Sequence, residues 1–355
     1  MVAGGSLHAI DLPRSVVVGD RVLDDLGVHL ARVGFNDSGI LVVTGPNVAE
    51  KILPRARQAL EDAGYTVWHK TVLDASTDTA NRIVEEVDSD RIDVIMGMGG
   101  GKSIDVAKYA SHESSKPFIS VPTVASHDGI TSPFASLKGF EKPVSKRAKP
   151  PDLIVIDISV VSSAPRRYNI AGFGDLLGKY TAVLDWRLAH RIKGEYYGAY
   201  AASLALMSAK HVSQYVNEIA HGTIEGYRVL VEALVSSGVA MCIAGSTRPA
   251  SGSEHLFAHA LSMVARYPPL HGEAVGVGTI MMSYLHGRKW RKIRRLLKKV
   301  GAPVTAKEMG VTSEEVVEAL VRAARIRPER YTILGEEGLN HEAAERLAKN
   351  TGVIS

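Results

Sequence analysis

The 355-residue sequence predicts an α/β domain built on an open, doubly wound parallel sheet, followed by an all-helical domain. Three observations predict this. As far as Asp157, short apolar runs of strand type alternate with helical segments, the spacing that parallel βαβ units require. One run ends in four glycines within five positions and passes straight into a helix. After about Ser163 strand signals are scarce, and alanine- and leucine-rich helical patterns fill the chain. The expected division is therefore 1–163 and 164–355.

The elements follow in order. Ser15–Val18 is a strand ended by Gly19, and a helix runs from about Val22 to Val33. Gly39–Thr44 is apolar throughout, as a strand covered on both faces should be, and Gly45-Pro46 ends it. A helix from about Val48 to Ala63 leads to the strand Tyr65–Trp68, and one from about Thr77 to Val87 leads to a strand from Ile92 to Met96. Ser103 is placed to cap the helix that follows the glycines, with Ile104 and Ala107 on its apolar side. Pro117–Pro122 and Leu153–Asp157 complete the sheet. Between them, Thr123 to Lys149 is a long loop, partly a hairpin, and loops of that length in compact folds carry function. Helices are expected over about Gly174–Ile192, Tyr196–Ala220, Thr223–Gly245, Ser253–Arg266, Glu273–Leu285, Trp290–Val300 and Ser313–Arg325.

Composition narrows the function. Hydrophobic residues make up 45% and charged residues 23%, enough for a packed core. Cys242 is the single cysteine, which excludes internal disulfides and cysteine zinc sites and fits a reducing, cytoplasmic setting. Met1–Leu7 lacks a charged, then apolar, leader, and no membrane span is expected. A net charge of +4 suits an anionic small molecule and is too mild for nucleic acid. The basic run Arg288–Val300 spaces Ile293, Leu296, Leu297 and Val300 as one apolar stripe, so it reads as an amphipathic helix with a solvated cationic face.

Two stretches carry chemistry. In Gly97-Met98-Gly99-Gly100-Gly101-Lys102-Ser103, glycines let the backbone approach a ligand, and the free N–H groups opening the helix attract phosphate. The stretch fits neither the P-loop, since Met96 stands where a glycine is needed, nor GxGxxG, since Lys102 occupies the last glycine. Further on, His255 and His259 stand at i and i+4, on one helix face. His271 lies just before a helix, and Asp175 sits at a helix start where a simple N-cap is the plain alternative. Histidine and carboxylate suit zinc or ferrous iron, and a catalytic centre keeps three protein ligands and an open position. Four residues for three places leave one to touch substrate.

Together with Ser120–Thr123, Gly174-Asp175, Glu254-His255 and His271-Gly272-Glu273, these motifs resemble the iron/zinc alcohol dehydrogenase superfamily, which includes glycerol dehydrogenase and dehydroquinate synthase. The resemblance covers nearly the whole chain, and Thr123–Pro133 is most similar to the archaeal glycerol-1-phosphate dehydrogenases. It implies a Rossmann-like nucleotide domain and a helical domain, with the active site in the cleft between them. It further implies Zn²⁺ held by Asp175, His255 and His271, with Asp128, Asp175 and His259 catalytic and facing the substrate. Gly99, Gly100, Gly101, Lys102, Ser103, Ile104 and Asp105, with Thr123, Val124, Ala125, Ser126 and Ser132, would hold NAD(H) or NADP(H). The implied reaction reduces dihydroxyacetone phosphate to sn-glycerol 1-phosphate, the backbone of archaeal ether lipids, in a cytoplasmic homo-oligomer. A polyol dehydrogenase without a phosphate site and a dehydroquinate synthase-like lyase are the alternatives. The cation for the phosphate stays open among Lys142, Lys146, Arg147, Lys149 and others. With no acid after the strand ending at Thr44 until Glu50, both nicotinamide cofactors are expected to serve.

Overall fold

A computed structural model describes residues 8–87, 91–139 and 143–355. The chain's first seven residues and Lys142 lie outside them. Six strands form one wholly parallel sheet: β1 (Ser15–Gly19), β2 (Gly39–Thr44), β3 (Thr66–Thr71), β4 (Val94–Gly99), β5 (Phe118–Pro122) and, after the hairpin, β8 (Leu153–Asp157). Their order is β1-β8-β5-β4-β2-β3. Chain direction across the sheet reverses between β2 and β4, whose paired ends are Thr44 and Met98. A doubly wound sheet opens a crevice at such a point, beyond the carboxyl ends of its strands. The glycine turn therefore opens where the topology places a ligand.

β2, β4, β5 and β8 are buried along their whole length, as their unbroken apolar runs require. Covering helices are α1 (Leu26–Arg32), α2 (Pro46–Lys51), α3 (Leu53–Asp62), α4 (Thr77–Val87) and α5 (Gly101–Glu113). The expected helix 48–63 is thus two, since Ile52 ends the first and Pro54 opens the second. Gly100, not Ser103, is the N-cap of α5, so Ser103 lies within the first turn. In the long loop, β6 (Phe134–Lys138) and β7 (Pro143–Arg147) pair as an antiparallel hairpin.

From α6 (Ile158–Ser163) onward the chain is helical: α7 (Arg166–Leu177), α8 (Lys179–Lys193), α9 (Ala199–Gln214), α10 (Val216–His221) and α11 (Ile224–Ala244). These are followed by α12 (Ser253–Val264), α13 (His271–Leu285), α14 (Trp290–Val300), α15 (Ala306–Met309), α16 (Ser313–Ile326) and α17 (His341–Asn350). The expected helix 174–192 is broken at Gly178, and 196–220 at Tyr215. α11 is long and apolar enough to cross a membrane, but 67% of its most apolar window is buried within the protein, where Leu230 and Leu234 join Ile104, Phe118 and Phe173 in one core. α14 buries Ile293, Leu297 and Val300 and turns its cations outward, the arrangement its period demands.

Candidate active site

α7 and α13 bring the two halves of the site together through glycine. A Cβ on Gly272 would lie 1.8 Å from the Ala171 carbonyl oxygen, and one on Gly174 would lie 2.2 Å from that of Gly272. Only bare backbone permits this approach. It sets Asp175, in the last turn of α7, against His271, the first residue of α13. Asp175 is thus no N-cap; the helix start expected there is the end of another helix. His255 enters from the first turn of α12.

One ligand atom from each of Asp175, His255 and His271 lies within 4.8 Å of the others. His255 Nε2 is 3.3 Å and His271 Nε2 is 3.8 Å from Asp175 Oδ1. That oxygen is buried and has no hydrogen-bond partner. A buried carboxylate oxygen without a donor is costly unless a cation is meant for it. The chemistry of the set fits a metal: two imidazoles, one carboxylate and an open side, since 41% of the His271 side chain is exposed to the cleft.

The supporting residues favour the same reading. His255 Nδ1 lies 2.8 Å from Glu254 Oε1, which makes Nδ1 the protonated nitrogen and leaves Nε2 to ligate. Glu254 is itself pinned by the Gly252 N–H and the Thr181 hydroxyl, both 2.7 Å away. The N-terminus of α12 is fixed by Asp185, which accepts from the Ser253 N–H at 2.7 Å and from its hydroxyl at 2.6 Å, and meets His286 at 2.9 Å.

Asp128 reaches this centre through Lys179. The fully buried ammonium stands 2.8 Å from Asp128 Oδ2 and 3.0 Å from Asp175 Oδ2, and donates to the Ala250 carbonyl at 3.3 Å. Burial opposes both charges, but the two carboxylates outweigh it and raise the Lys179 amine above its ordinary range. Lys179, with His255, likewise holds the Asp175 carboxyl below the usual carboxylate range against its burial. Ser237 donates to Asp128 Oδ2 at 2.7 Å, and Gly238 beside it lets the 128–132 turn lie against α11. His259 completes the group, its ring 5.5 Å from that of His271 and 6.4 Å from that of His255. Burial, then the neighbouring His271 and His255, hold its imidazole well below the usual histidine range. Partial burial and the neighbouring His255 hold His271 below the usual histidine range as well.

Around the glycine turn, Gly99 has φ +146°, and a side chain there would meet Ser103 Oγ at 3.0 Å. Gly100 leaves the first N–H groups of α5 without a side-chain cap, an anion site in waiting. The Thr123 N–H bonds the Gly99 carbonyl at 3.0 Å, and the Ala125 N–H bonds Asn169 Oδ1 at 2.8 Å, so the 123–126 segment borders the turn. Val124 stands against Gly100, where a Cβ would meet it at 3.4 Å, and Ser126 is half-buried. Ile104 is buried in the core, and the Asp105 and Ser132 side chains are buried as well. Lys102 points outward to the Leu73 carbonyl at 3.4 Å. Sequence alone gives no role to Lys179, Glu254 or Ser237, each of which has at least one partner far away in the chain: Asp128, Thr181 and Asp128 respectively. Nor did it find His127, whose ring lies against Gly101 where a Cβ would stand 2.2 Å from Nε2.

Fold and site define a dehydrogenase of the iron-containing alcohol dehydrogenase class. Residues 17–165 match the family model described as iron-containing alcohol dehydrogenase. The crystal structure of glycerol dehydrogenase from Schizosaccharomyces pombe has the same fold, with a TM-score of 0.81, 22% identity, and coverage of 98% of this chain and 91% of that one. The glycerol-1-phosphate dehydrogenase (NAD(P)+) of Aeropyrum pernix is 68% identical over 98% of this chain and 99% of its own. That of Hyperthermus butylicus is 55% identical with the same coverage. The chain belongs to the glycerol-1-phosphate dehydrogenase family.

Proposed function

We propose that this chain uses NADH or NADPH to reduce the C2 carbonyl of dihydroxyacetone phosphate, giving sn-glycerol 1-phosphate for ether-lipid backbones. The observation that carries it is the Asp175, His255 and His271 cluster, in a chain 68% identical to a relative of that name. Asp175, His255 and His271 would hold a zinc ion, which when bound supplies Lewis-acid polarisation of the carbonyl, while the nicotinamide supplies hydride. The chain's own residues do the rest. The N-terminal N–H groups of α5 receive the cofactor pyrophosphate over Gly99–Gly101. Asp128 keeps Oδ2 for Lys179 and Ser237 and presents its other oxygen to a substrate hydroxyl. His259, held neutral, donates its ring N–H toward the oxygen that gains charge and recovers a proton through its second nitrogen.

At the carboxyl end of β2 stand Thr44-Gly45-Pro46-Asn47, with no acid to repel a 2′-phosphate, which supports use of both cofactors. Exposed Ile192, Tyr196, Tyr200 and Met207 support self-association, and the single buried cysteine supports a cytoplasmic setting. The test is an assay of the zinc-loaded protein with dihydroxyacetone phosphate and each reduced nicotinamide, with chiral analysis of the product. His255→Ala and His271→Ala should lose both bound metal and turnover. Full turnover by metal-free His271→Ala would overturn the assignment. Stoichiometric oxidation of NADH separates this reading from a lyase that only borrows the cofactor.

A further inference from the structure

The reaction above needs a cationic pocket for the substrate phosphate, and none of its residues so far supplies one. On the hairpin side, Lys146, Arg147 and Lys149 are exposed to solvent. A different pair of cations stands beside the centre. α16 packs along α12, the helix of His255 and His259, and the chain leaving α16 carries Arg327 and Arg330. Arg330 donates to the Ser251 carbonyl and to Thr247 Oγ1, both at 2.6 Å, so it is clamped to the segment that leads into α12. Both side chains are partly buried, and both positive charges act on His259.

Neither guanidinium has a carboxylate within ion-pair distance among the described residues, and the Arg327 side chain has no hydrogen-bond partner there; only its carbonyl is bonded, by the Arg330 N–H at 2.9 Å. Glu195, the one acid turned toward Arg330 besides Glu329, is already taken by Arg248, whose Nε lies 2.6 Å from Glu195 Oε1. Glu329 lies on the exposed turn between the two arginines. Burial lowers both guanidinium pKa values, that of Arg330 to about 9. Two cations withdrawn from water without an anion are expensive. The missing anion is therefore expected from outside the chain, and the planar donor fork of arginine matches a phosphate monoester.

We propose that Arg327 and Arg330 form the phosphate subsite and so select the phosphorylated substrate over its free alcohol counterpart; the identity of the substrate rests on the function proposed above. His259 then stands between the two ends of the substrate, with the carbonyl toward the histidine cluster and the phosphate toward the arginines.

Arg327→Gln is the decisive variant, since it breaks no internal hydrogen bond; Arg330→Gln and Arg327→Lys accompany it. For wild type and variants, kcat/KM is measured with dihydroxyacetone phosphate and with dihydroxyacetone. The ratio of the two should fall by about thirtyfold or more in Arg327→Gln, chiefly through KM for the phosphate ester. Arg327→Lys should recover only part of it. A ratio within threefold of wild type in both glutamine variants would overturn the proposal. Inorganic phosphate gives a second readout independent of turnover. It should raise the Tm of zinc-loaded wild type relative to chloride at equal ionic strength, and raise that of Arg327→Gln far less. If wild type fails to reduce dihydroxyacetone phosphate, the function proposed above falls, and this phosphate shift still decides the subsite. A shift lost in Arg327→Gln supports it; a shift equal in both proteins, or absent from wild type, overturns it.

Discussion

Replacing Lys179 with methionine removes one charge and little volume. The ammonium lies between Asp128 and Asp175, 2.8 and 3.0 Å away, with no exposure to solvent. At an effective dielectric of about 20, each attraction is ~5–6 kcal/mol before desolvation. Desolvation of the three groups cancels much of that gain, but the methionine variant cannot recover it, because two like charges stay buried facing each other. Removing one partner of a buried ion pair costs about 3–5 kcal/mol, and that is the expected loss of unfolding free energy in urea for metal-free Lys179→Met. Zinc affinity, measured by competition with a chromophoric chelator, should fall about 10–100-fold, because the ligand Asp175 loses the residue that orients it. Zinc should raise the stability of the variant by less than it raises that of wild type, in line with the weaker affinity. Lys193→Met is the control: it pairs with Glu336 in solvent, where screening leaves little to lose, so its stability should match wild type. A loss below about 1 kcal/mol for Lys179→Met, with unchanged zinc affinity, would refute the bridging role.

Gly272→Ala should separate α7 from α13, because its Cβ would fall 1.8 Å from a backbone oxygen that cannot swing aside. An overpacking cost of about 1–3 kcal/mol or more and a weakened metal site are expected, read by urea unfolding and zinc titration; wild-type metal affinity would refute the contact. Cys242 is buried, and burial pushes its thiol up to about 12, so Ellman's reagent at pH 8 should label it only after unfolding in guanidinium. Asp74 accepts from the Ser76 N–H and the Thr79 hydroxyl, and these bonds hold its carboxyl down at about 2. A carboxyl depressed in the folded state stabilises above its unfolded pKa and loses that contribution as pH falls through the folded value. Asp74→Ala should therefore cost about 1 kcal/mol at pH 7, and its gap from wild type should close between pH ~4 and ~2. A kcat/KM preference for NADH over NADPH above about a hundredfold, ~2.7 kcal/mol, would contradict the open ribose site at Thr44–Asn47.

What the sequence determined by itself is local. The unbroken apolar runs of β2, β4, β5 and β8 specified buried parallel strands, because only strands covered on both faces need no polar side. Glycine density marked the turn between β4 and α5, and the i, i+4 spacing placed His255 and His259 on one face of α12. The order of motifs added the family. Tertiary structure decided how distant elements meet. Asp175 reads from sequence as the start of a helix because Gly172 and Gly174 weaken the helical pattern before it, yet α7 runs through both and ends just after it. Its meeting with His271 depends on the depth to which α7 and α13 interpenetrate at Gly174 and Gly272. Lys179, Ser237 and the Arg327–Arg330 pair carry no signal of their own, since buried and solvated cations are spelled alike. The cost of burying a charge is set by its surroundings, and those surroundings exist only once helices separated by dozens of residues have packed.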